Sequence, residues 1–413
     1  MTGVPARARA PLLSLDEALQ RVLQAVTPVG ERDTLATVEA LGRVLCEDLR
    51  SAIDVPPADN TAMDGYALRC GDTPTAGTVL PVSQRIPAGI VGAALQPGTA
   101  ARIFTGAQLP AGADAVVMQE QCEALDAGVR VLAVPQPGQW VRRRGEDVRS
   151  GDVVLARGSR LTVASLGLAA TVGAARLTVA RRPRVALLST GDELVMPGEP
   201  LPPGAIYNAN RDTLRSAIQA LGAQCTDLGI VPDRLQATRD VLRAGAVGHD
   251  LIVTSGGVSV GEEDHLRPAA QAEGALTLWQ IAIKPGKPFA FGQVRRPDGT
   301  AAHLVGLPGN PVASVLTFLL LVRPLLLALQ GATALAPRRV EQRADFDWSR
   351  PDARREFLRV RHNAMGGLDL YPNQGSGVMS SLAWADGVVD NPPGQPIHRG
   401  DRVQFLSLAE WLS

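Results

Sequence analysis

The chain has 413 residues, 45% of them hydrophobic, and its 41 basic side chains are balanced by 41 acidic ones, for a formal net charge of zero. The length suggests two to three domains of about 150 residues each. The neutral balance speaks against a nucleic-acid protein, whose binding face usually shows in the charge. Cys46, Cys70, Cys122 and Cys225 stand far apart without a Cys-x-x-Cys pair, and the histidines form no His-Glu-x-x-His. Neither a zinc site nor a redox pair is indicated. Scattered thiols fit a reducing cytoplasm. Residues 1–13 lack the apolar stretch of a secretory signal.

In chain order, Ser14-Leu-Asp-Glu17 is a capping box that predicts an amphipathic helix to about residue 26. A second helix is expected at 33–41. From about residue 52 to 151, short apolar runs such as 116–118 and 129–132 lie between frequent Gly and Pro, and read as a small β-rich unit. A connecting module follows, with a strand at 153–155 and a helix near 163–168.

Beyond Arg184, strands are expected at 185–189, 225–230, 251–254, 278–283 and 302–305. Helices are expected at 211–221, 235–246, 264–273 and 311–329. That alternation predicts a mostly parallel sheet covered on both faces. The apolar run 312–329 contains Arg323 and Pro324. Its uninterrupted part is shorter than the roughly 20 residues of a membrane span, so it is expected as a buried helix and no span is predicted. After about residue 331, the run 354–361, a Gly/Ser-rich turn at 374–377 and a strand near 402–407 read as a last small β unit.

Only two of the 41 basic residues are lysines, and both fall in Ile283-Lys284-Pro-Gly-Lys287-Pro288. An ammonium is a compact charge with three donors, whereas a guanidinium is a broad planar fork. Two lysines kept where arginine serves elsewhere suggest a small tetrahedral oxyanion or a crowded phosphate as partner. A chance remnant in a surface turn is the plainer alternative.

Ligands of open α/β sheets bind outside the carboxyl ends of the strands. The expected strands are followed there by Thr190-Gly-Asp192-Glu193, by Asp233, by Ser255-Gly256-Gly257-Val-Ser259, by the two lysines, and by Gly306-Leu-Pro308-Gly-Asn310-Pro311. Gly256 and Gly257 permit an anion nest of backbone amides, with hydroxyls from Ser255 and Ser259 and a helix N-terminus behind them. Tight turns need glycine too. Carboxylates beside a phosphate cradle suit Mg2+, which takes one or two of them plus phosphate oxygens and water. Acidic residues also complement helix dipoles. That second explanation is preferred for Glu262 and Glu263, and the first for Glu193 and Asp264. In the β-rich unit, Asp54-Val-Pro-Pro-Ala-Asp59-Asn-Thr-Ala-Met-Asp64 is dense for a structural loop, and Thr105-Gly106 and Arg142-Arg-Arg-Gly-Glu-Asp147 follow it. Asp and Asn also make turns, so composition leaves that loop open.

These motifs, with Arg102-Ile-Phe-Thr-Gly-Ala107, Ser189-Thr-Gly-Asp-Glu-Leu194 and Lys284-Pro-Gly-Lys-Pro288, resemble in order and spacing the molybdopterin molybdenumtransferase family, the bacterial MoeA proteins and the E domain of gephyrin. The resemblance covers nearly the whole chain. It implies a multi-domain α/β plus β fold. The central three-layer α/β/α domain would span 181–331, a linking and dimerisation domain 14–50 with 148–180, a β-rich domain 51–147, and a β-barrel-like C-terminal domain 332–413. The implied activity is insertion of molybdate into adenylylated molybdopterin, with Mg2+ required and AMP released; no permanently bound organic cofactor is expected, and the chemistry of the residues themselves predicts carboxylates as metal ligands or water positioners and no covalent protein nucleophile. The implied assembly is a cytoplasmic homodimer whose composite site joins the α/β domain of one subunit to the β-rich domain of the other. Transient contact with the molybdopterin adenylyltransferase and with molybdoenzymes is implied as well.

Carried over residue by residue, the resemblance marks Asp59, Thr105, Asp147, Glu193, Asp233 and Asp264 as catalytic, with Glu193 and Asp264 toward the metal. It marks Lys284, Lys287, Pro288, Pro308, Asn310 and Pro311 for the oxyanion and pterin phosphate, together with the Ser255–Ser259 loop. Arg359 and Ser376 are looser matches for molybdate contacts. The chain departs from the family pattern at Ala58, often Phe; at Gln280, often a further lysine; at Ala313, usually Ser; and at Gly377, often basic. Adenylylation of molybdopterin by the α/β domain alone and a gephyrin-like scaffold are the alternative functions. The three additional regions speak against the first, and the lack of a fused partner domain against the second. Molybdate and tungstate are not distinguished.

Overall fold

The computed structural model describes residues 12–258 and 265–412. Helix Leu15–Gln24 forms as its capping box dictates. The Glu17 amide donates to Ser14 Oγ at 3.2 Å, and the Ser14 amide donates to the Glu17 carboxylate at 3.0 Å. Its Leu15, Ala18 and Val22 join the main core.

The helix expected at 33–41 is instead the strand Arg32–Ala36 followed by a single 3-10 turn, Thr37–Glu39. The strand pairs antiparallel with Arg176–Ala180, in register Arg32 to Ala180. Propensity within the segment is ambiguous, and a distant strand decides it. Leu49–Arg50 pairs likewise with Val153–Leu155, so chain on either side of the β-rich unit comes together. That unit holds a four-stranded sheet (Val82–Ile86, Ala100–Ile103, Gly65–Leu68, Ala115–Met118) and a three-stranded one (Thr78–Leu80, Gly128–Val131, Cys122–Leu125).

The central sheet is six-stranded. Across it run Gln224–Val231, Arg184–Thr190, Leu251–Ser255, Ala301–Leu307, Pro288–Arg295 and Gly274–Gln280. All its neighbours are parallel except that Pro288–Arg295 runs antiparallel to both of its own. Along Arg184–Thr190, Val185 and Leu187 enter one core, while Ala186 and Leu188 enter the other. Burial on both faces is what a helix-covered parallel sheet requires.

The sequence expectations change here at three places. The strand predicted at 278–283 ends at Gln280, and Ile283–Lys284 joins a different sheet. The strand Pro288–Arg295 was not predicted, because its flanking prolines and glycines read as a turn. The helix expected from 264 is Leu266–Glu273, and its first expected residues lie outside the described ones.

The helical run Pro311–Leu329 has a mean hydropathy of 2.3, and 83% of it is buried inside the fold. Among the described residues it alone is long and apolar enough to cross a membrane. Its Phe318–Val322 segment is a π-turn just before Pro324, which cannot donate. Arg323, 6% exposed, donates to the carbonyls of Trp411 and Leu335 at 2.6 and 2.8 Å. Burial pulls its guanidinium down to about 10.

In the C-terminal region Arg355–His362, Gly387–Asn391, Arg402–Ser407 and Val340–Arg343 pair in that order. Leu368–Leu370 pairs with the first of these, and a bridge from Ala344 to Leu368 closes the path into a small barrel.

Candidate active site

A cleft of about 780 Å³ opens at the carboxyl edge of the central sheet. The loops after Arg184–Thr190, Gln224–Val231, Leu251–Ser255, Gly274–Gln280 and Ala301–Leu307 all reach it. Convergence survives the antiparallel strand, because Gly274–Gln280 again runs parallel to the inner strands.

Both lysines line the cleft and are half-buried. Gly286 between them has φ +115°, and a Cβ there would lie 2.4 Å from Thr317 Oγ1. The turn therefore packs directly on the helix Pro311–Thr317. Lys284 Nζ donates to Glu356 Oε1 at 3.1 Å and stands 3.4 Å from Asp352 Oδ2. Lys287 makes no ion pair among the described residues.

Gly256 and Gly257 line the opposite wall with φ +89° and +67°. A Cβ on Gly256 would meet the Thr190 carbonyl oxygen at 2.7 Å, so only glycine lets the strand end approach the neighbouring loop. Ser255 lies beneath, 1% exposed, its hydroxyl on Ser189 Oγ at 3.3 Å. Pro308 and Asn310 line the floor, where Asn210 Nδ2 donates to the Gly309 carbonyl at 2.7 Å. Pro311 then occupies the first turn of the long helix, a position its missing N–H suits. That helix points its N-terminus, with its partial positive charge, at the cleft.

Carboxylates crowd one rim. The Asp192 amide donates to Asp233 Oδ2 at 3.2 Å, and the Asp233 amide to Asp192 Oδ1 at 3.1 Å. Burial, and then the charges of Asp192 and Glu193, raise the Asp233 carboxyl above the usual carboxylate range. Ser259 and Asp264, with Glu262 and Glu263, lie outside the described residues. Among the described residues no cluster of three His, Cys, Asp or Glu is arranged around a metal position.

The C-terminal barrel supplies the remaining wall. Ser376 lines the cleft, accepts from Asn310 Nδ2 at 3.1 Å and offers its carbonyl to the Val312 amide at 3.0 Å. Arg359 does not line it. This guanidinium, 1% exposed, donates to Ser381 Oγ and to the Phe357 and Gly375 carbonyls, and so braces the 374–376 turn from behind. Arg354 does line the cleft, paired through two nitrogens with Asp352 at 2.9 Å each. Sequence reasoning missed it, and also missed Glu356 and Gln374. The charged run at 354–361 was visible, but nothing local says which of its alternating side chains faces the lysines.

Asp59, Thr105 and Asp147 do not border this cleft. They gather on the β-rich unit, where Asp59 accepts from Arg143 Nη1 at 2.7 Å and from the Arg144 amide at 2.8 Å. Those two donors, the amide foremost, hold the Asp59 carboxyl below the usual range. The Thr105 hydroxyl and amide both donate to Asp64 Oδ1, at 2.6 and 2.7 Å. The Asp147 amide donates to the Val55 carbonyl at 3.0 Å and the Thr61 amide to the Ala107 carbonyl at 3.0 Å, and together these tie the three loops.

Comparison with known proteins gives three consecutive family matches. The MoeA N-terminal region (domain I and II) matches residues 13–173, a probable molybdopterin binding domain matches 186–328, and the MoeA C-terminal region (domain IV) matches 341–408. The molybdopterin molybdenumtransferase of Haemophilus influenzae is 42% identical over 78% of this chain and 78% of its own length. Molybdopterin molybdenumtransferase 2 of Mycobacterium tuberculosis is 38% identical over 90% of this chain and 94% of its own. A crystal structure of the molybdopterin biosynthesis MoeA protein of Pyrococcus horikoshii superposes with a TM-score of 0.76 at 32% identity, covering 96% of this chain and 99% of that one.

Proposed function

Because the chain belongs to the MoeA family of molybdopterin molybdenumtransferases, we infer that its cleft is where molybdate meets adenylylated molybdopterin. The chain is a transferase of molybdenum cofactor biosynthesis, with molybdopterin and molybdate as substrates. The observation that carries the proposed site is the meeting of both lysines, the glycine pair and the N-terminus of the long helix in one cleft.

Molybdate is a small tetrahedral dianion. Lys284 and Lys287 can each direct N–H donors at it, and charge-assisted hydrogen bonds of that kind are the strong ones. Pro285 and Pro288 restrict the turn's φ angles and so lower the entropy lost on binding. Across the cleft, the Gly256–Gly257 backbone cradles the pyrophosphate of the adenylylated pterin, and Asn310 and Ser376 offer neutral donors beside it. Ser259, outside the described residues, is proposed for the same cradle.

The rim fits Mg2+. Asp233 is raised first by burial and then by the neighbouring charges of Asp192 and Glu193, charges that a cation would offset, and this ion needs only one or two carboxylates, with phosphate oxygens and water completing its shell. Glu193 and Asp233, with Asp264, are the residues proposed to hold it. When bound, the ion neutralises phosphate oxygens and eases departure of AMP. In this reading the protein acts by positioning and charge, without a covalent nucleophile.

The proposal extends to assembly. Asp59, Thr105 and Asp147 stand apart from the cleft of their own chain, which supports a homodimer in which they complete the partner's cleft. The domain division at 14–50 with 148–180, 51–147, 181–331 and 332–413 belongs to the same reading. So do a cytoplasmic location and transient contacts with the adenylyltransferase that supplies the substrate and with acceptor molybdoenzymes.

The test supplies purified protein with adenylylated molybdopterin. AMP release is expected to require molybdate. Turnover that consumes ATP and needs no molybdate would replace this reading with molybdopterin adenylylation.

A further inference from the structure

The lysine turn is mounted on two sheets. Ile283 and Lys284 pair in parallel with Arg355 and Glu356 of the C-terminal barrel. Four residues after Lys284 the chain enters the central sheet, at Pro288. The Lys287 carbonyl accepts from the Ile281 amide at 2.7 Å, which closes the turn on the central-sheet side. One lysine is therefore held by the barrel and the other by the α/β unit.

Glu356 is 1% exposed, and both of its oxygens are used. Oε2 accepts from Trp348 Nε1 at 2.7 Å and from the Asp352 amide at 3.1 Å, while Oε1 accepts from Lys284 at 3.1 Å. A buried carboxylate is retained only where it is paired and hydrogen-bonded. Asp352, at 3.4 Å from the same ammonium, is itself fixed by Arg354. An ammonium has three donors. One donates to Glu356 Oε1, with the Asp352 carboxylate flanking the ammonium at 3.4 Å, and the remaining donors are left for the cleft.

We propose that Glu356, backed by Asp352, is the positioning residue for Lys284: the barrel aims this ammonium, so that oxyanion affinity depends on how the C-terminal barrel is docked. The proposal rests on the reading of Lys284 and Lys287 as the oxyanion lysines, and it adds residues and a domain dependence to that reading.

Glu356→Gln tests it with little change of shape. Trp348 Nε1 and the Asp352 amide are both donors, so they keep the glutamine carbonyl on their side. The glutamine NH2 is then left facing the ammonium, donor against donor. The chain has only two lysines, so lysine-selective 13C labelling of the whole protein gives one Cε signal for each, assignable with Lys284→Met. Wild-type protein titrated with molybdate is expected to shift both signals. In Glu356→Gln the Lys284 signal should move before any anion is added, and the Lys287 signal should stay. The half-saturating molybdate concentration should rise about tenfold, the size of effect expected from weakening one hydrogen bond to a charged group. In a Lys284→Met background, followed at Lys287, Glu356→Gln should add nothing further, since effects acting through one group are non-additive.

An unmoved Lys284 signal with an unchanged titration would overturn the proposal. So would the same tenfold loss in the Lys284→Met background, which is what a general structural role gives. A fall in the half-saturating concentration would overturn it too, by showing that Glu356 only competes with the anion. If neither wild-type signal responds to molybdate, the assignment of the lysines fails instead. Should Glu356→Gln not fold, Asp352→Asn, at a site that water reaches, is expected to shift the Lys284 signal and weaken molybdate binding in the same direction. An unshifted signal there would overturn the proposal equally.

Discussion

Lys284 and Lys287 stand three residues apart but have different surroundings. Lys284 faces two carboxylates, whereas Lys287 has no ion-pair partner among the described residues and is the freer cation for an anion. Lys287→Arg is therefore expected to keep the fold and its charge but to lose at least about tenfold in molybdate insertion, because a planar fork cannot reproduce a point charge's approach. Steady-state rates at varied molybdate, beside a thermal melt, check this. Near-normal rates would show that charge alone suffices. The importance of the two lysines was legible because arginine fills every other basic position. Arg354 and Glu356 were not legible, since Glu356 lies 72 residues from Lys284 and only the barrel's docking joins them. Gln280 is exposed and does not border the cleft. The third cation on this wall is Arg354, from another domain.

At the scale of elements, the turn and the helix under it are fitted to each other. Gly286 combines φ +115° with a Cβ position 2.4 Å from Thr317 Oγ1, and both the backbone and the contact resist a side chain. Gly286→Ala is expected to destabilise the protein by about 2 kcal/mol and to weaken molybdate binding, because the lysines ride on that turn. Gly377→Ala, with no atom within 4 Å of its Cβ position, is expected to be neutral. Urea unfolding of the two variants makes the comparison. The helices at 211–221 and 235–246 were predictable because their apolar spacing is local, and they appear at Ala209–Ala220 and Leu235–Ala246. The segment at 33–41 was not, because its strand exists by pairing with residues 140 or more positions away. Pro288–Arg295 was hidden by the prolines and glycines that flank it, which mark turns in most sequences.

At the scale of the whole molecule, the expected site residues fall into two groups that one chain does not unite. Glu193, Asp233, the lysines, Asn310 and Ser376 share the cleft. Asp59, Thr105 and Asp147 share the loops of the β-rich unit. If a partner chain unites them, Asp59→Asn and Lys287→Met homodimers will each be nearly inactive. Co-assembly of the two variants will then restore about a quarter of wild-type activity, since half the dimers are mixed and each mixed dimer has one intact site of two. No recovery on mixing would place both groups' work within one chain.

The sequence by itself determined the elements whose patterns are local: the capping box, the amphipathic helices, the alternation that makes a mostly parallel sheet, and the motifs that the loops at its carboxyl edge carry. It also singled out the lysines, because composition needs no fold to be read. Only the tertiary structure decided which side chains meet them. A strand's partner, the side of a barrel strand that faces a cleft, and the carboxylates that hold Lys284 all depend on contacts between residues far apart in the chain. Their energies arise only when the domains dock, so no local window of sequence contains them.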